Sequence, residues 1–383
     1  IISLGGAIKH ENYQPIAVEP YEEDWKIIPV DGYGTQEMVR SILRTEKVDA
    51  IWIMTDPRFW GWLWAMENEI RPLCPIIYYH VWDNYPYPHF NRPYYISNDH
   101  IATISKVSDD IVRTVAPEVD CTYVPHAVNG NVFKPLSEEQ IKNVRTDTLP
   151  EEDREKVIFF WNNRNARRKQ SGTLIFWFKE WLDKNNLHDK AQLIMHTDPN
   201  DPHGQDLYHI LEALDLNKRQ VLFSTAKVDQ TKLAAMYNLV DCTINISDAE
   251  GFGLSTLESL SCGVPIIANM TGGLQEQITD GKDWFGIGLN PSSKAIIGSQ
   301  QVPYIYEDRL SKSQFLSALS KIYFMSAESR KEMGMKGRNH VLQNYSFEKF
   351  NKQWVELMDS IIEKHGSWQN RSQYNGVYFG EVA

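Results

Sequence analysis

The chain reads as an α/β protein built from two doubly wound domains. Its 383 residues are enough for two domains of ordinary size. Short apolar runs alternate with helical stretches along most of its length, which is the pattern of βα units around parallel sheets. A Pro- and charge-rich segment, residues 135–155, interrupts that alternation once and reads as a linker between two such sets.

The chain opens on Ile1-Ile-Ser-Leu-Gly-Gly6, already strand-like, and its next apolar run is Trp25–Val30, with no helical period between them. A doubly wound domain needs a helix after its first parallel strand. The first β–α unit is therefore expected to be missing, with Ile1 beginning the second strand; the alternative is that Gly5-Gly6 is itself the first glycine loop. A helix at Gln36–Thr45 then leads to a strand at Asp49–Met54, and a helix at Trp60–Ile70 to a strand at Pro75–His80. Strand His100–Ser105, helix Val107–Val115 and strand Cys121–Pro125 complete the first set. The second set has strands at Lys156–Trp161, Ala191–His196, Val221–Thr225, Cys242–Ser247 and Pro265–Asn269, each after the first preceded by a helical stretch. From Ser311 to about Lys364 the chain is helical.

Composition narrows the class. Hydrophobic residues make up 42% and charged residues 23%, as in soluble globular proteins. No apolar run is long enough for a transmembrane helix, and no signal-peptide pattern opens the chain. Cys74, Cys121, Cys242 and Cys262 are dispersed without a Cys-x-x-Cys pair, which predicts free thiols in a reducing, cytoplasmic setting and no structural zinc. The net charge of −11, with 11 Lys and Arg against 18 Asp and Glu in residues 1–135, weighs against extended contact with nucleic acid or anionic lipid. The run His196-Thr-Asp-Pro-Asn-Asp-Pro-His203 has metal-ligand residue types, but turn chemistry explains it better, and no metal site is expected.

The most informative segment is Glu250-Gly-Phe-Gly-Leu-Ser-Thr-Leu-Glu258. Apolar runs on either side and the Gly263-Val-Pro265 turn make it a strand, glycine loop, helix, strand unit. Gly251 and Gly253 clear the start of the helix. N–H groups from about Leu254 to Thr256 are then open to an anion such as a diphosphate. Glu258 falls a turn further in, within reach of a ribose diol, and Glu250 stays on the loop where sugar hydroxyls would lie.

This segment resembles the E-x7-E signature of retaining nucleotide-sugar glycosyltransferases of the GT-B fold, family-4 type. Further segments fall in the same order. Asn163-Arg164-Asn-Ala-Arg-Arg-Lys169-Gln170 is similar to the family's Gly-Arg-x-x-x-x-Lys-Gly, with Asn163 and Gln170 in place of its glycines. Val124-Pro-His126-Ala-Val-Asn129 with Phe133-Lys-Pro135 is similar to Pro-Asn-Gly-Val-Asp…Phe-x-Pro, and Thr271-Gly-Gly-Leu-Gln-Glu276 to Gly-Gly-x-x-Glu. The resemblance runs from about Asp49 to the C-terminus. It implies two Rossmann-like domains facing a cleft: an acceptor domain over residues 1–135, a donor domain over 136–345, and a last segment, 346–383, crossing back onto the first.

The resemblance also assigns roles. Arg164 and Lys169 would grip the diphosphate, where cations lower the barrier to the bond's departure. Glu250 would hold the donor sugar, with His80 close to it. Glu258 would hold the ribose, and Gly251, Phe252, Gly253, Leu254, Ser255 and Thr225 would complete the donor site. Trp82, Asp83, Asn84 and Tyr85, in the aromatic-rich loop after His80, would face the acceptor, with Tyr87 beside them; His126 would lie near the cleft hinge. No cofactor beyond the nucleotide sugar and no metal ion is called for. Two readings stand beside transfer to a glycan or other hydroxyl: a nucleotide-sugar epimerase of the same fold, and a non-catalytic carbohydrate-binding protein. A hydroxylated nucleobase extruded from DNA also remains open as acceptor, since it needs only a pocket.

Overall fold

A computed structural model describes residues 1–6, 14–216, 219–371 and Tyr374. Strands β1 (Ile2–Gly5), β2 (Ile16–Val18) and β3 (Glu22–Pro29) form a small sheet in the order β1-β3-β2, with β1 parallel and β2 antiparallel to β3. After α1 (Gln36–Thr45), capped by the Thr35 side chain, comes a second sheet: β4 (Ile51–Met54), α2 (Gly61–Trp64), α3 (Glu67–Ile70), β5 (Ile76–His80), α4 (Arg92–Ile96), β6 (His100–Thr103), α5 (Lys106–Val115) and β7 (Cys121–Tyr123). Its strands are parallel and in sequence order. Every residue of β5 and β6 is buried, as expected where helices cover both faces of a parallel sheet.

The second half begins with α6 (Glu138–Thr148) and continues through β8 (Val157–Asn162), α7 (Ser171–Asn185), β9 (Ala191–His196), α8 (Leu207–Ala213), β10 (Val221–Ser224) and α9 (Gln230–Asn238). It then runs through β11 (Cys242–Asn245), α10 (Leu254–Ser261), β12 (Ile266–Asn269), α11 (Leu274–Gln277) and β13 (Gly286–Leu289). A hairpin of β14 (Ser293–Ile297) and β15 (Ile305–Arg309) precedes α12 (Lys312–Phe324), α13 (Ala327–Asn344) and α14 (Phe347–His365). The parallel sheet has the order β10-β9-β8-β11-β12-β13. Winding proceeds outward from β8 in one direction and from β11 in the other, so the topological switch point lies between β8 and β11.

Helix α14 lies against the first parallel sheet. Trp354 meets Trp52 and Tyr79 edge-on, with ring centroids 5.8 and 5.1 Å apart, and Lys364 pairs with Asp120. Beyond it, Arg371 donates to Asp99 at 2.6 Å. Residues 372–373 and 375–383 of the expected crossover segment lie outside the described residues. No described helix is long and apolar enough to cross a membrane, and all four cysteines are free.

The structure corrects several sequence expectations. The helix expected over Trp60–Ile70 is broken into α2 and α3, since Met66 sits at φ −111°, ψ 21° with its side chain in the core. The stretch expected to be a linker carries α6, whose start is fixed by a capping box between Ser137 and Gln140. Strands β13, β14 and β15 were not expected at all.

Candidate active site

In a doubly wound sheet the ligand crevice lies beyond the carboxyl ends of the strands flanking the switch point. Here the chain leaves β8 at Asn162 and β11 at Asn245, and the loops that follow carry Arg164–Gln170 and Asp248–Gly253. The two loops are joined by buried charge. The Lys169 ammonium is ion-paired with the Glu250 carboxylate, with only 9% and 12% of the two side chains exposed. Arg168 donates to the Ala249 carbonyl beside it, and Ser247 Oγ stands 3.4 Å from Glu250. Burial pushes the Glu250 carboxyl up, but Lys169 and Arg168 outweigh it, and the net value lies below the usual carboxylate range.

The two residues that stand in place of the family's glycines fit the first loop differently. Gln170 adopts the left-handed conformation at φ 58° that a glycine would supply. Its side chain compensates by bonding to the Asp248 carboxylate and accepting from Thr173 Oγ1 at 2.7 Å. Asn163 stays close to the end of β8 with its amide nitrogen buried.

Helix α10 starts at the floor of the crevice. Gly253, at φ 93°, turns the chain into the helix in a conformation that disfavours any side chain. Gly272 packs so closely that a Cβ there would overlap the Glu250 carbonyl, and the Gly273 N–H donates to that carbonyl at 3.0 Å. Thr256 N–H turns back to the Gly253 carbonyl at 3.1 Å, so the expected run of open amides narrows. Among the described residues the N–H groups of Leu254 and Ser255 have no protein partner. Further along the helix, Glu258 accepts from the Tyr237 hydroxyl at 2.7 Å, which in turn accepts from Asn162 at 2.9 Å. Burial pushes the Glu258 carboxyl up to about 7.

The first domain closes the crevice from above. A Cβ on Gly251 would meet the Val81 carbonyl at 2.9 Å and Asp83 Oδ2 at 3.9 Å, so the loop after β5 lies directly on the glycine loop. Asp83 is pushed up to about 6 by burial, with Arg168 opposing and Glu250 reinforcing the shift. Asn84 donates to the Tyr306 carbonyl at 2.9 Å and the Tyr306 N–H to the Tyr85 carbonyl at 2.6 Å, tying this loop to the β14–β15 hairpin. Glu276 makes a second bridge, accepting from the Lys106 N–H at 2.7 Å and the Tyr123 hydroxyl at 2.6 Å.

Several candidates sit differently from their expected places. Arg164 is 60% exposed and turned outward, paired with Asp201 and bonded to His203 at 2.7 Å. The cause is Asn165, fully buried, which donates to the Gln205 carbonyl at 2.7 Å and pins this segment to the 199–205 loop. His80 is fully buried, its Nε2 2.8 Å from the Tyr95 hydroxyl, and burial pushes the imidazole down to about 3. Its Nδ1 is buried without a hydrogen-bond partner among the described residues. Trp82 is 5% exposed and donates to the Asn84 carbonyl, so it shapes the loop from inside; Tyr85 and Tyr87 both donate to Asp110. Thr225 is exposed just beyond β10, at the edge strand of the sheet. His126 stacks between Phe252 and Phe350, at centroid distances of 6.1 and 5.2 Å, joining the glycine loop to α14.

Sequence reasoning passed over the hairpin. Glu307 pairs with Arg167 at 2.6 Å, Arg309 with Asp248, and Asp308 accepts from Thr271 at 2.7 Å. The only available signal was the alternating Ile305-Tyr-Glu-Asp-Arg309, which says nothing of its partners. Among the described residues no group of three or more His, Cys, Asp or Glu side chains is placed to hold a metal ion.

Comparison with known proteins bears on the fold and the family. Residues 142–297 match the family of glycosyl transferases group 1. A D-inositol 3-phosphate glycosyltransferase of Paenarthrobacter aurescens is 34% identical over 91 residues, 24% of this chain and 22% of that protein. The alpha-1,3/1,6-mannosyltransferase ALG2 of Dictyostelium discoideum is 23% identical over 276 residues, 69% of this chain and 56% of that one. The chain thus spans less than two thirds of the length of these relatives. Among solved structures, sucrose-phosphate synthase from Thermosynechococcus elongatus superposes with a TM-score of 0.72 at 16% identity, covering 95% of this chain and 88% of that one. Anabaena HepE in complex with UDP and glucose gives 0.67 at 14% identity, covering 88% and 87%. At such identities the structures speak to the fold alone. The chain has the GT-B fold, and its residues 142–297 match the glycosyl transferases group 1 family.

Proposed function

We propose that the protein transfers a sugar from a nucleotide-diphosphate sugar to an acceptor hydroxyl, with retention of anomeric configuration and without a metal ion. The observation that carries this reading is the buried Lys169–Glu250 pair at the mouth of α10, beside the open amides of Leu254 and Ser255. An anion at that helix start is stabilised by the amides and the adjacent cations. Glu250 then faces the sugar, and Glu258, behind it, the ribose.

In the reaction, the bond between the anomeric carbon and the diphosphate oxygen breaks, and its electron pair leaves with the phosphate. The acceptor oxygen bonds to the same face of the anomeric carbon. Its proton passes to the departing phosphate, giving a glycoside and a nucleoside diphosphate. The residues supply charge stabilisation and orientation, and no protein nucleophile is needed. Asp83 and Asn84 would orient the acceptor, a role supported by the approach of their loop to Gly251. The relatives' printed activities, all sugar transfers or syntheses, support the reading. The four free cysteines fit a reducing cytoplasm.

A thermal-shift panel of UDP, GDP and ADP with their sugar conjugates tests the proposal. A ligand that binds only the folded state raises the melting temperature. At least one nucleoside diphosphate should do so, and a panel in which none does would refute the reading.

A further inference from the structure

Three consecutive cations, Arg167, Arg168 and Lys169, occupy the tight turn between β8 and α7. Each takes a different partner. Arg167 is paired with the Glu307 carboxylate and Lys169 with that of Glu250. Arg168 is held by a backbone carbonyl, that of Ala249, so its charge is not cancelled by a bonded carboxylate. The carbonyl of Arg168 in turn accepts the Asp248 N–H at 2.8 Å, which fixes the turn against the glycine loop from both sides.

Its charge also reaches the right groups. Asp83, Lys169 and Glu250 all respond electrostatically to Arg168. The guanidinium is bonded to the Ala249 carbonyl, two residues before Gly251, and Asp83 Oδ2 lies 3.9 Å from where a Cβ on Gly251 would stand. Arg164 makes its bonds elsewhere. It is spoken for by Asp201 and His203 on the far side of the 199–205 loop.

A diphosphate needs net positive charge at its site. Lys169 and Arg167 are already paired with the Glu250 and Glu307 carboxylates, the latter shared with Arg309, and Arg164 faces outward. The geometry points to Arg168 as the arginine that holds the donor diphosphate in this chain, in the role that spacing alone would give Arg164. The assignment rests on the nucleotide-sugar reading and sharpens it: the grip comes from adjacent residues, Arg168 and Lys169, on one turn. On donor entry the guanidinium exchanges its contact with the Ala249 carbonyl, and its attraction to Asp83, for phosphate oxygens.

The test is calorimetric titration of UDP, GDP and ADP, and of the matching nucleosides, into the wild-type chain and into Arg168→Ala, Arg168→Gln, Arg168→Lys and Arg164→Ala. For the tightest-binding diphosphate, Arg168→Ala and Arg168→Gln should each weaken affinity by about tenfold or more, the loss of one charge-assisted contact. Affinity for the nucleoside should stay within about twofold, which loss of the fold or of the loop shape would not allow. Arg168→Lys should recover part of the loss, and Arg164→Ala should cost less than Arg168→Ala. A larger loss at Arg164 than at Arg168, or an equal loss for nucleoside and diphosphate, would overturn the assignment while leaving the donor reading intact. A wild-type chain that binds none of the three diphosphates would overturn both.

Discussion

Replacing Lys169 by Met isolates what the buried ion pair does for the fold and for the site. Methionine keeps most of the side chain's length and apolar stem, so the main change is the lost charge. Glu250 would then stay 88% covered as a side chain with its closest counter-charge gone. Removing one partner of a buried pair costs about 3–5 kcal/mol. Protonation of Glu250 limits that cost. From the ordinary value of 4.5, neutralising a glutamate at pH 7 costs about 3.4 kcal/mol, at 1.36 kcal/mol per unit. The nearby Arg168 charge lowers the penalty further. We expect a loss of about 2–3 kcal/mol at pH 7 and less than about 1 kcal/mol at pH 5. The sign agrees with the wild type: a carboxylate held below its ordinary value contributes stability that is present above that value and lost as pH falls. Urea unfolding followed by tryptophan fluorescence measures both. The double variant Lys169→Met, Glu250→Gln should regain most of the stability, because neither charge of the pair is left unpartnered, yet no transfer activity. A single variant as stable as wild type at pH 7, or a double variant no more stable than the single one, would refute the reasoning.

Other consequences can be measured on the same preparations. Glu258→Gln should weaken binding of the bare nucleoside diphosphate, whereas Glu250→Gln should barely change it and lower turnover; calorimetry beside initial rates separates the two. Nucleoside diphosphate affinity should fall as pH drops through about 7, because protonated Glu258 loses its acceptor character toward the ribose, and Glu258→Gln should flatten that dependence. In the free protein the sign is opposite: a carboxyl raised above its ordinary 4.5 lowers stability as pH rises from there toward 7, and Glu258→Gln should remove this slope. Transfer activity should survive EDTA, since amides and cations take the place of a divalent ion; full loss restored by magnesium or manganese would contradict the mechanism.

How far the sequence could be read depended on whether the cause was local. The βαβ unit around Glu250 was legible because Gly251, Gly253 and the apolar runs on either side determine it within some thirty residues. The parallel strands were legible for the same reason. The direction of the Arg164 side chain was not, because spacing gives position along the chain alone. Its outward turn comes from Asn165 plugging a loop that arrives some thirty-five residues later. The hairpin was hidden for a related reason. Its Glu307 and Arg309 look like solvated charges until Arg167 and Asp248 are brought to them across the crevice. His80 shows the converse: a polar residue at a strand end whose rings of contact, Tyr78 in its own strand and Tyr95 from α4, are brought together only by the fold.

The central claim is that a donor diphosphate rests at the start of α10. Crystals soaked with the tightest-binding nucleoside diphosphate test it most directly. The account predicts phosphate oxygens within about 3.2 Å of the Leu254 or Ser255 amides and of the Lys169 ammonium, with the ribose beside Glu258. A nucleotide bound elsewhere, or one whose phosphates touch neither amide nor Lys169, would contradict it.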